Sequence, residues 1–285
     1  MNEILLKYAA ELKISDTGVC KARVYDELGA ILTAYKTPFT AAAEKRISPF
    51  DHVPNARSVI MCVFNYYTGS HEGNLSKYVY GTDYHTVISA KLSALCDKLE
   101  GHFGAFSRYI FCDTSPLCDK YLAYLSGLGF FGDNHLLIHP VYGSYIFIGG
   151  IVTDLELEYN EPLGRECAHC GKCAEMCPGG VFDGGFDIFK CASYLQQKKG
   201  ELSDQQKEII RRGGKVWGCD ICSDVCIHNK NVPVTDIDEF RVISSDLTRT
   251  ELENFGAEKS ASYNRAFTWR GRRILERNLG ILDNK

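Results

Sequence analysis

At 285 residues, 45% of them hydrophobic and 24% charged, the chain is long enough for about two domains, each with its own core. No run approaches the roughly 18 consecutive apolar residues of a membrane helix, and the amphipathic N-terminus, with Glu3 in it, is unlike a secretory signal, so a cytoplasmic protein is expected. A net charge of −4 excludes a protein that coats nucleic acid by bulk charge, and thirteen cysteines in such a chain point to metal or redox chemistry rather than to disulfides.

Residues 2–13 place Ile4, Leu5, Tyr8 and Leu12 on one helical face. The continuous apolar run 58–65 reads as a buried strand, and Ile88, Leu92, Leu95 and Leu99 predict a helix over about 84–100. Strands are expected at 108–112 and 145–152, with a helix from about 117 to 126 between them, ended by Gly127 and Gly129. Helices alternating with buried strands suggest an α/β or α+β front domain. The acidic stretch 155–164 reads as an exposed linker. Beyond it the cysteine-dense region carries helices near 191–199 and 203–212, the second capped by Ser203. The tail from 233 is polar and helical in part.

The run Cys167-Ala-His-Cys170-Gly-Lys-Cys173-Ala-Glu-Met-Cys177-Pro178 has the C-x2-C-x2-C-x3-C-P spacing of bacterial ferredoxins. Three thiolates so spaced curl around one cubane, while the fourth, before proline, ligates another cluster. That geometry demands a second group, and Cys219, Cys222 and Cys226 supply it, with Cys191 upstream. The crossover assigns Cys167, Cys170, Cys173 and Cys226 to one [4Fe-4S] cluster and Cys177, Cys191, Cys219 and Cys222 to the other. Zinc is the alternative, since C-x2-C pairs also make zinc knuckles, but the spacing with proline is more typical of iron–sulfur. Cys20, Cys62, Cys96, Cys112 and Cys118 are scattered among apolar residues and read as small buried hydrophobes. Two adjacent clusters make an electron wire, and a plain electron carrier needs no front domain of this size.

In that domain, 77–85 forms a turn leading into a helix, and Asp113-Thr-Ser-Pro116 stands at a predicted strand end, followed by the glycine-rich 127–135. A carboxylate so placed suits an active site, although Asp113 could equally cap the helix that follows.

These segments resemble the epoxyqueuosine reductase family. The matching residues are Tyr78, Gly81, Asp83-Tyr84-His85, Asp113-x-x-Pro116, Gly127-Leu-Gly129-x-x-Gly132, the ferredoxin run, Cys191-x-Ser193-Tyr194-Leu195, Gly218-Cys219-Asp220-x-Cys222-x-x-Val225-Cys226, Asn229 and Arg277-Asn278. The resemblance spans about 40–280 and implies an α+β chain. An α/β-type cobalamin-binding front domain (1–160) is followed by a bacterial-ferredoxin-like domain with two [4Fe-4S] clusters (161–232) and a short helical tail (233–285). It implies the reduction of epoxyqueuosine to queuosine in tRNA by cob(I)alamin, with electrons fed through the clusters and Asp113 as proton donor, its protonation favoured by burial against the apolar face of the corrin. Arg46, Tyr78, Asp83, Asp113 and Asn134 are the residues it implies for the corrinoid. Asp83-x-His85 is similar to the start of a D-x-H-x-x-G cobalamin motif, but Ile88 occupies the glycine position, so His85 is not counted as a cobalt ligand. The implied partners are the anticodon loop of a tRNA and an electron donor such as a ferredoxin, flavodoxin or reductase.

Three departures from the family stand out. Longer members carry a C-terminal helical-repeat domain, Asp133 stands where the family has lysine, and Cys-Pro-Trp-Asn reads Cys226-Ile-His-Asn229. They leave open a corrinoid reductase of a small molecule or of another protein's cobalamin, and a plain electron carrier. Arg265, Arg270, Arg272, Arg273 and Arg277, interleaved with Phe267 and Trp269, read either as a phosphate- and base-binding patch or as a solvated helix face.

Overall fold

The computed structural model describes residues 1–34, 45–253 and 264–283. The chain forms two compact units. The first comprises Met1–Asn65, His85–Gly132 and Leu136–Cys167, and the second Tyr66–Tyr84, Asp133–His135 and Ala168–Lys285.

The first unit is built on a four-stranded antiparallel sheet. Its strands are β1 (Asp16–Lys21), β2 (Ser58–Asn65), β3 (Arg108–Phe111) and, last in the chain, β6 (Ile146–Thr153), ordered β1-β2-β6-β3. A small ribbon pairs β4 (Phe130–Phe131) with β5 (Leu137–Ile138). Every residue of β2 is buried, as its unbroken apolar run requires, because successive side chains point to opposite faces and both faces are covered. Val59, Met61 and Val63 join a core with Tyr25 and Leu28 of the α2 region (helix Asp26–Ala34) and with Leu122 and Ala123 of α4 (Asp119–Leu125). On the opposite face Cys62 pairs with Gly149, and a β-carbon there would meet Ile88 and Leu92 of α3 (Tyr84–Phe103). The α+β class is thus realised with an antiparallel sheet.

The first helix, α1 (Asn2–Glu11), buries Leu5 and Ala9. The stretch 155–164, expected to be an exposed linker, is instead partly built into the sheet edge. Leu157 is buried and its N–H donates to Ser58 Oγ at 3.1 Å. Asn160 makes two 2.8 Å hydrogen bonds with Val19, its side-chain oxygen accepting from the Val19 N–H and its own N–H donating to the Val19 carbonyl. Polar composition alone hides these non-local bonds.

The second unit contains short helices: α5 (Lys172–Glu175), α6 (Ala192–Gln197), α7 (Asp204–Gly213), α8 (Ile221–Asp224), α9 (Arg249–Glu253) and α10 (Arg272–Asp283). Ser203 caps α7 as expected and closes a capping box with Gln206. Leu75, Val79 and Tyr80 share a core with Val216, Trp217, Phe267, Leu275 and Leu279, so the tail packs onto the 66–84 segment.

Two charged or polar tail residues act as internal fasteners. Asn278, fully buried, donates to the carbonyls of Gln196 at 2.9 Å and Val216 at 3.0 Å. Arg277 donates to the carbonyls of Leu195, Gln196, Lys198 and Gly200, at and just beyond the end of α6. Asn278→Ala is expected to destabilise the protein by about 1–3 kcal/mol, as buried acceptors lose a donor, and urea unfolding of the variant checks this.

Candidate functional site

The ferredoxin run lies in an irregular stretch whose tight turns come from left-handed residues, His169 (φ 48) and Gly171 (φ 72). Helix α5 carries Cys173 and α8 carries Cys222, and the two helices pack on each other. Burial is the main force raising the Cys222 thiol pKa, and the thiols of Cys219, Cys191, Cys177 and Cys173 add to it. Cys219 is pushed up to about 12, again chiefly by burial and then by Cys191 and Cys177 among its neighbours. The structure therefore brings Cys173, Cys177, Cys191, Cys219 and Cys222 within electrostatic reach of one another. Thiols crowded in this way become thiolates together only around a cation.

Backbone donors already point at these sulfurs. The Val181 N–H donates to Cys177 Sγ at 3.5 Å, those of Ser193 and Tyr194 to Cys191, and that of Ile221 to Cys219. N–H groups aimed at ligand sulfurs are a usual part of iron–sulfur sites. Cys170 is exposed, whereas Cys167, Cys173 and Cys226 are half-buried. Asn229, which the family resemblance singled out, is buried and donates to the Ser223 carbonyl at 2.7 Å, fixing the loop after Cys222. Asn134 Nδ2 donates to the Cys222 carbonyl at 3.4 Å. Asp133, the acidic departure, faces His169 at 2.8 Å, so its charge meets a partner within its own unit.

In the first unit, Asp113 lies two residues past the end of β3 and has a left-handed backbone (φ 57), a conformation that Asp tolerates better than most residues. Its N–H donates to Asp119 Oδ2 at 2.8 Å, and its carboxylate stands 3.5 Å from His85 Nε2. Arg46 Nε donates to the Pro116 carbonyl at 3.1 Å, three residues along the loop from Asp113. The Asp113 side chain is 65% exposed. The buried carboxyl oxygen belongs to Asp119, whose Oδ1 has no hydrogen-bond partner. Burial lifts Asp119 to about 7, opposed by the Asp113 N–H and reinforced by the Asp113 charge. Sequence reasoning missed both Asp119 and the His85 contact; the only local signal is an acidic residue at the first position of α4.

Tyr78, Asp83 and Asn134 belong to the second unit. Tyr78 makes an edge contact with Tyr84 at 6.4 Å, and the Asp83 N–H donates to the Asn264 carbonyl at 2.8 Å. Of the five tail arginines, Arg265 is buried against the Val79 and Ser244 carbonyls and Arg277 is spent on α6, which removes both from a nucleic-acid patch. Arg270 lies 4.8 Å from the exposed Trp269 ring but also donates to the Gln197 carbonyl, and Arg272 pairs with Glu276 at 2.6 Å.

Fold and thiol geometry together define a two-cluster iron–sulfur oxidoreductase. The family model described as a 4Fe-4S double cluster binding domain matches residues 166–229, and the one described as epoxyqueuosine reductase QueG, DUF1730 matches 46–114. The epoxyqueuosine reductase of Lactococcus garvieae is 30% identical over 98% of this chain and 85% of that protein, and the Synechocystis enzyme is 34% identical over 80% and 81%. The chain belongs to the epoxyqueuosine reductase family. A crystal structure of an epoxyqueuosine reductase with an epoxyqueuosine-modified tRNA-Tyr stem loop matches at a TM-score of 0.87 and 26% identity, covering 99% of this chain and 80% of that one. The Bacillus subtilis structure, described with its catalytic aspartate loop swung out of the active site, matches at 0.86 and 26%, with the same coverage.

Because burial raises Asp119 to about 7, the folded protein keeps a proton that the unfolded chain releases above about pH 4. Asp119 therefore makes stability fall as pH rises from about 4 to about 7, with no further slope above that. Burial also raises Asp220, to about 6, and adds a fall of the same sign, so urea unfolding across this range is expected to show a shallower slope in Asp119→Asn than in the parent protein.

Proposed function

We propose that this protein reduces epoxyqueuosine to queuosine in tRNA, with Asp113 as the proton donor. The observation that carries the reading is Asp113 itself, fixed by Asp119 at a strand end and facing His85, in a chain that also carries the double-cluster cysteines. The ligands of one cluster are Cys167, Cys170, Cys173 and Cys226, and of the other Cys177, Cys191, Cys219 and Cys222. The donor set fits, because the eight cysteines follow a crossed ferredoxin pattern and N–H groups are aimed at the sulfurs of Cys177, Cys191 and Cys219. Polar atoms on the Asp113 loop also fit a large polar cofactor: Asp119 Oδ1 is buried without a donor, and Asp113 presents its carboxyl to solvent. Arg46, Tyr78, Asp83, Asp113 and Asn134 are the residues assigned to the corrinoid. When bound, the clusters and cobalamin supply single electrons and a strongly nucleophilic reduced cobalt.

The chain's own residues handle the proton. The Asp113 carboxyl gives its proton to the epoxide oxygen as a carbon–oxygen bond of the ring breaks, so no free alkoxide forms. His85, 3.5 Å away, steadies the carboxylate left behind when the imidazole is protonated. Asp119 keeps the backbone of residue 113 in the conformation that aims the carboxyl. The whole conversion consumes two electrons, which the reduced cofactor would supply, and two protons, the first from Asp113 and the second from solvent; the oxygen then leaves as water and the cyclopentene of queuosine remains.

The partner is the anticodon loop, from which a nucleotide can be splayed into a pocket. Trp269, Arg272 and Arg273 are the tail residues assigned to it, offering a stacking surface and two groups for phosphates. Electrons arrive from a reduced ferredoxin, flavodoxin or reductase in the cytoplasm. The exposed Cys170 makes the first cysteine set the natural point of entry. No described helix is long and apolar enough to cross a membrane.

Protein purified without oxygen, given cobalamin, a reductant and tRNA carrying epoxyqueuosine, is expected to form queuosine, read by mass spectrometry of the nucleosides. Asp113→Asn should keep iron and corrinoid while losing at least about 10²-fold in turnover. Retained turnover in that variant removes Asp113 from the role, and conversion of free nucleoside but not of tRNA moves the substrate to a small molecule. Changing Arg272 and Arg273 together to Ala is expected to weaken tRNA binding and to reduce its salt slope by about one for each phosphate that is no longer neutralised. A slope unchanged across a salt series would assign both residues to a solvated helix face.

A further inference from the structure

The loop that carries Cys219 and Cys222 is backed by a segment from far earlier in the chain. Leu75 bridges Trp217 in parallel register, and the Ser76 N–H donates to the Trp217 carbonyl at 3.0 Å. The Lys77 N–H donates to Asp220 Oδ2 at 2.9 Å. Gly218 is left-handed (φ 75), and a β-carbon on it would collide with Ser76 Oγ, so the backbone entering Cys219 passes directly over that hydroxyl. Ser76 is fully buried and its Oγ has no hydrogen-bond partner in the protein. A buried hydroxyl left unbonded costs about 1–3 kcal/mol, which calls for an acceptor at this spot. The Lys77 side chain is 5% exposed, with Nζ at 2.6 and 2.8 Å from the Asp224 carboxylate and 3.8 Å from Asp220 Oδ2. A positive charge is thus buried between two carboxylates that flank ligand cysteines.

We propose that Ser76 and Lys77 are positioning residues that raise the reduction potential of the cluster held by Cys177, Cys191, Cys219 and Cys222. Ser76 Oγ donates a hydrogen bond to a sulfur of that cluster, and Lys77 offsets the negative field of Asp220 and Asp224. The inference rests on the ligand assignment proposed above. The physical sign is fixed: reduction adds one electron to an already anionic cluster–thiolate assembly. Hydrogen-bond donors and positive charge therefore favour the reduced form, and carboxylates oppose it. The N–H groups of Ser193, Tyr194 and Ile221 aim at the same cysteine set, so the hydroxyl completes a shell that the backbone begins.

The test is a redox titration of the whole protein with both clusters loaded, followed by electron paramagnetic resonance. Ser76→Ala is expected to lower one of the two midpoints by about tenfold in the reduced-to-oxidised ratio, which is about 59 mV for a one-electron couple. Lys77→Met should lower the same midpoint, and Asp224→Asn should raise it, with the other midpoint unmoved in all three. Unchanged midpoints in Ser76→Ala and Lys77→Met, or equal shifts of both clusters, would overturn the proposal. If Lys77→Met does not take up its full iron, Ser76→Ala decides alone, since it removes a single buried atom. A parent protein without two cluster signals would instead sink the ligand assignment, and the proposal with it.

Discussion

Thiolates can be crowded only around a cation, and the cysteine-rich part of the second unit is arranged on that constraint. Among the described residues between Gly164 and Cys191, only Pro178 and Val181 are buried, and α5 is a single turn. Such a stretch has too little hydrophobic burial to hold its own shape. The cores lie elsewhere in the unit, one under 75–80, 216–217 and 247–279, another joining Leu195, Leu202, Ile210 and Ile281. Packing thus fixes the frame on which α6 and α8 sit, while the loops that bring up the first cysteines depend on the metal they bind.

The fold was legible where a single local signal dominated. The stretch 58–65, with six consecutive apolar residues, is short and rich in β-branched side chains, as a strand covered on both faces requires, and β2 falls at those residues. The heptad-like leucines of α3 and the serine cap of α7 were equally plain. Strand β1 escaped notice because only Val19 and Cys20 in it are apolar; its other buried positions are Thr17 and Gly18. Gly18 is there because the end of α4 presses on it, leaving no room beside the Ser126 carbonyl for a side chain. No periodicity announces a contact of that kind.

The site divides in the same way. Cysteine spacing is itself chemistry, because a cubane sets the distance between its ligands, so the two sets could be written down from the sequence. Asp113 needed the family resemblance, since a carboxylate before a helix is more often a cap. Asp119, His85 and the Ser76–Lys77 layer needed three dimensions: Lys77 and Asp224 are 147 residues apart, and nothing in either neighbourhood names the other. The arginine-rich tail shows the opposite failure. Its composition allowed a ligand surface or a solvated helix face, whereas Arg265 and Arg277 are neither and serve backbone carbonyls inside the unit.

The left-handed backbone at residue 113 ties acidity to geometry. Glutamate would keep a carboxyl but add a methylene and favour a right-handed backbone, displacing the acid and loosening the turn at once. Asparagine and glycine accept the turn and carry no acid. On the role proposed for Asp113, every tolerated neighbour of this residue in sequence space would be inert, and every acidic one misplaced. A lineage could drift away from the chemistry through asparagine without disturbing the fold, leaving an intact iron–sulfur protein whose lost activity would show at this one position.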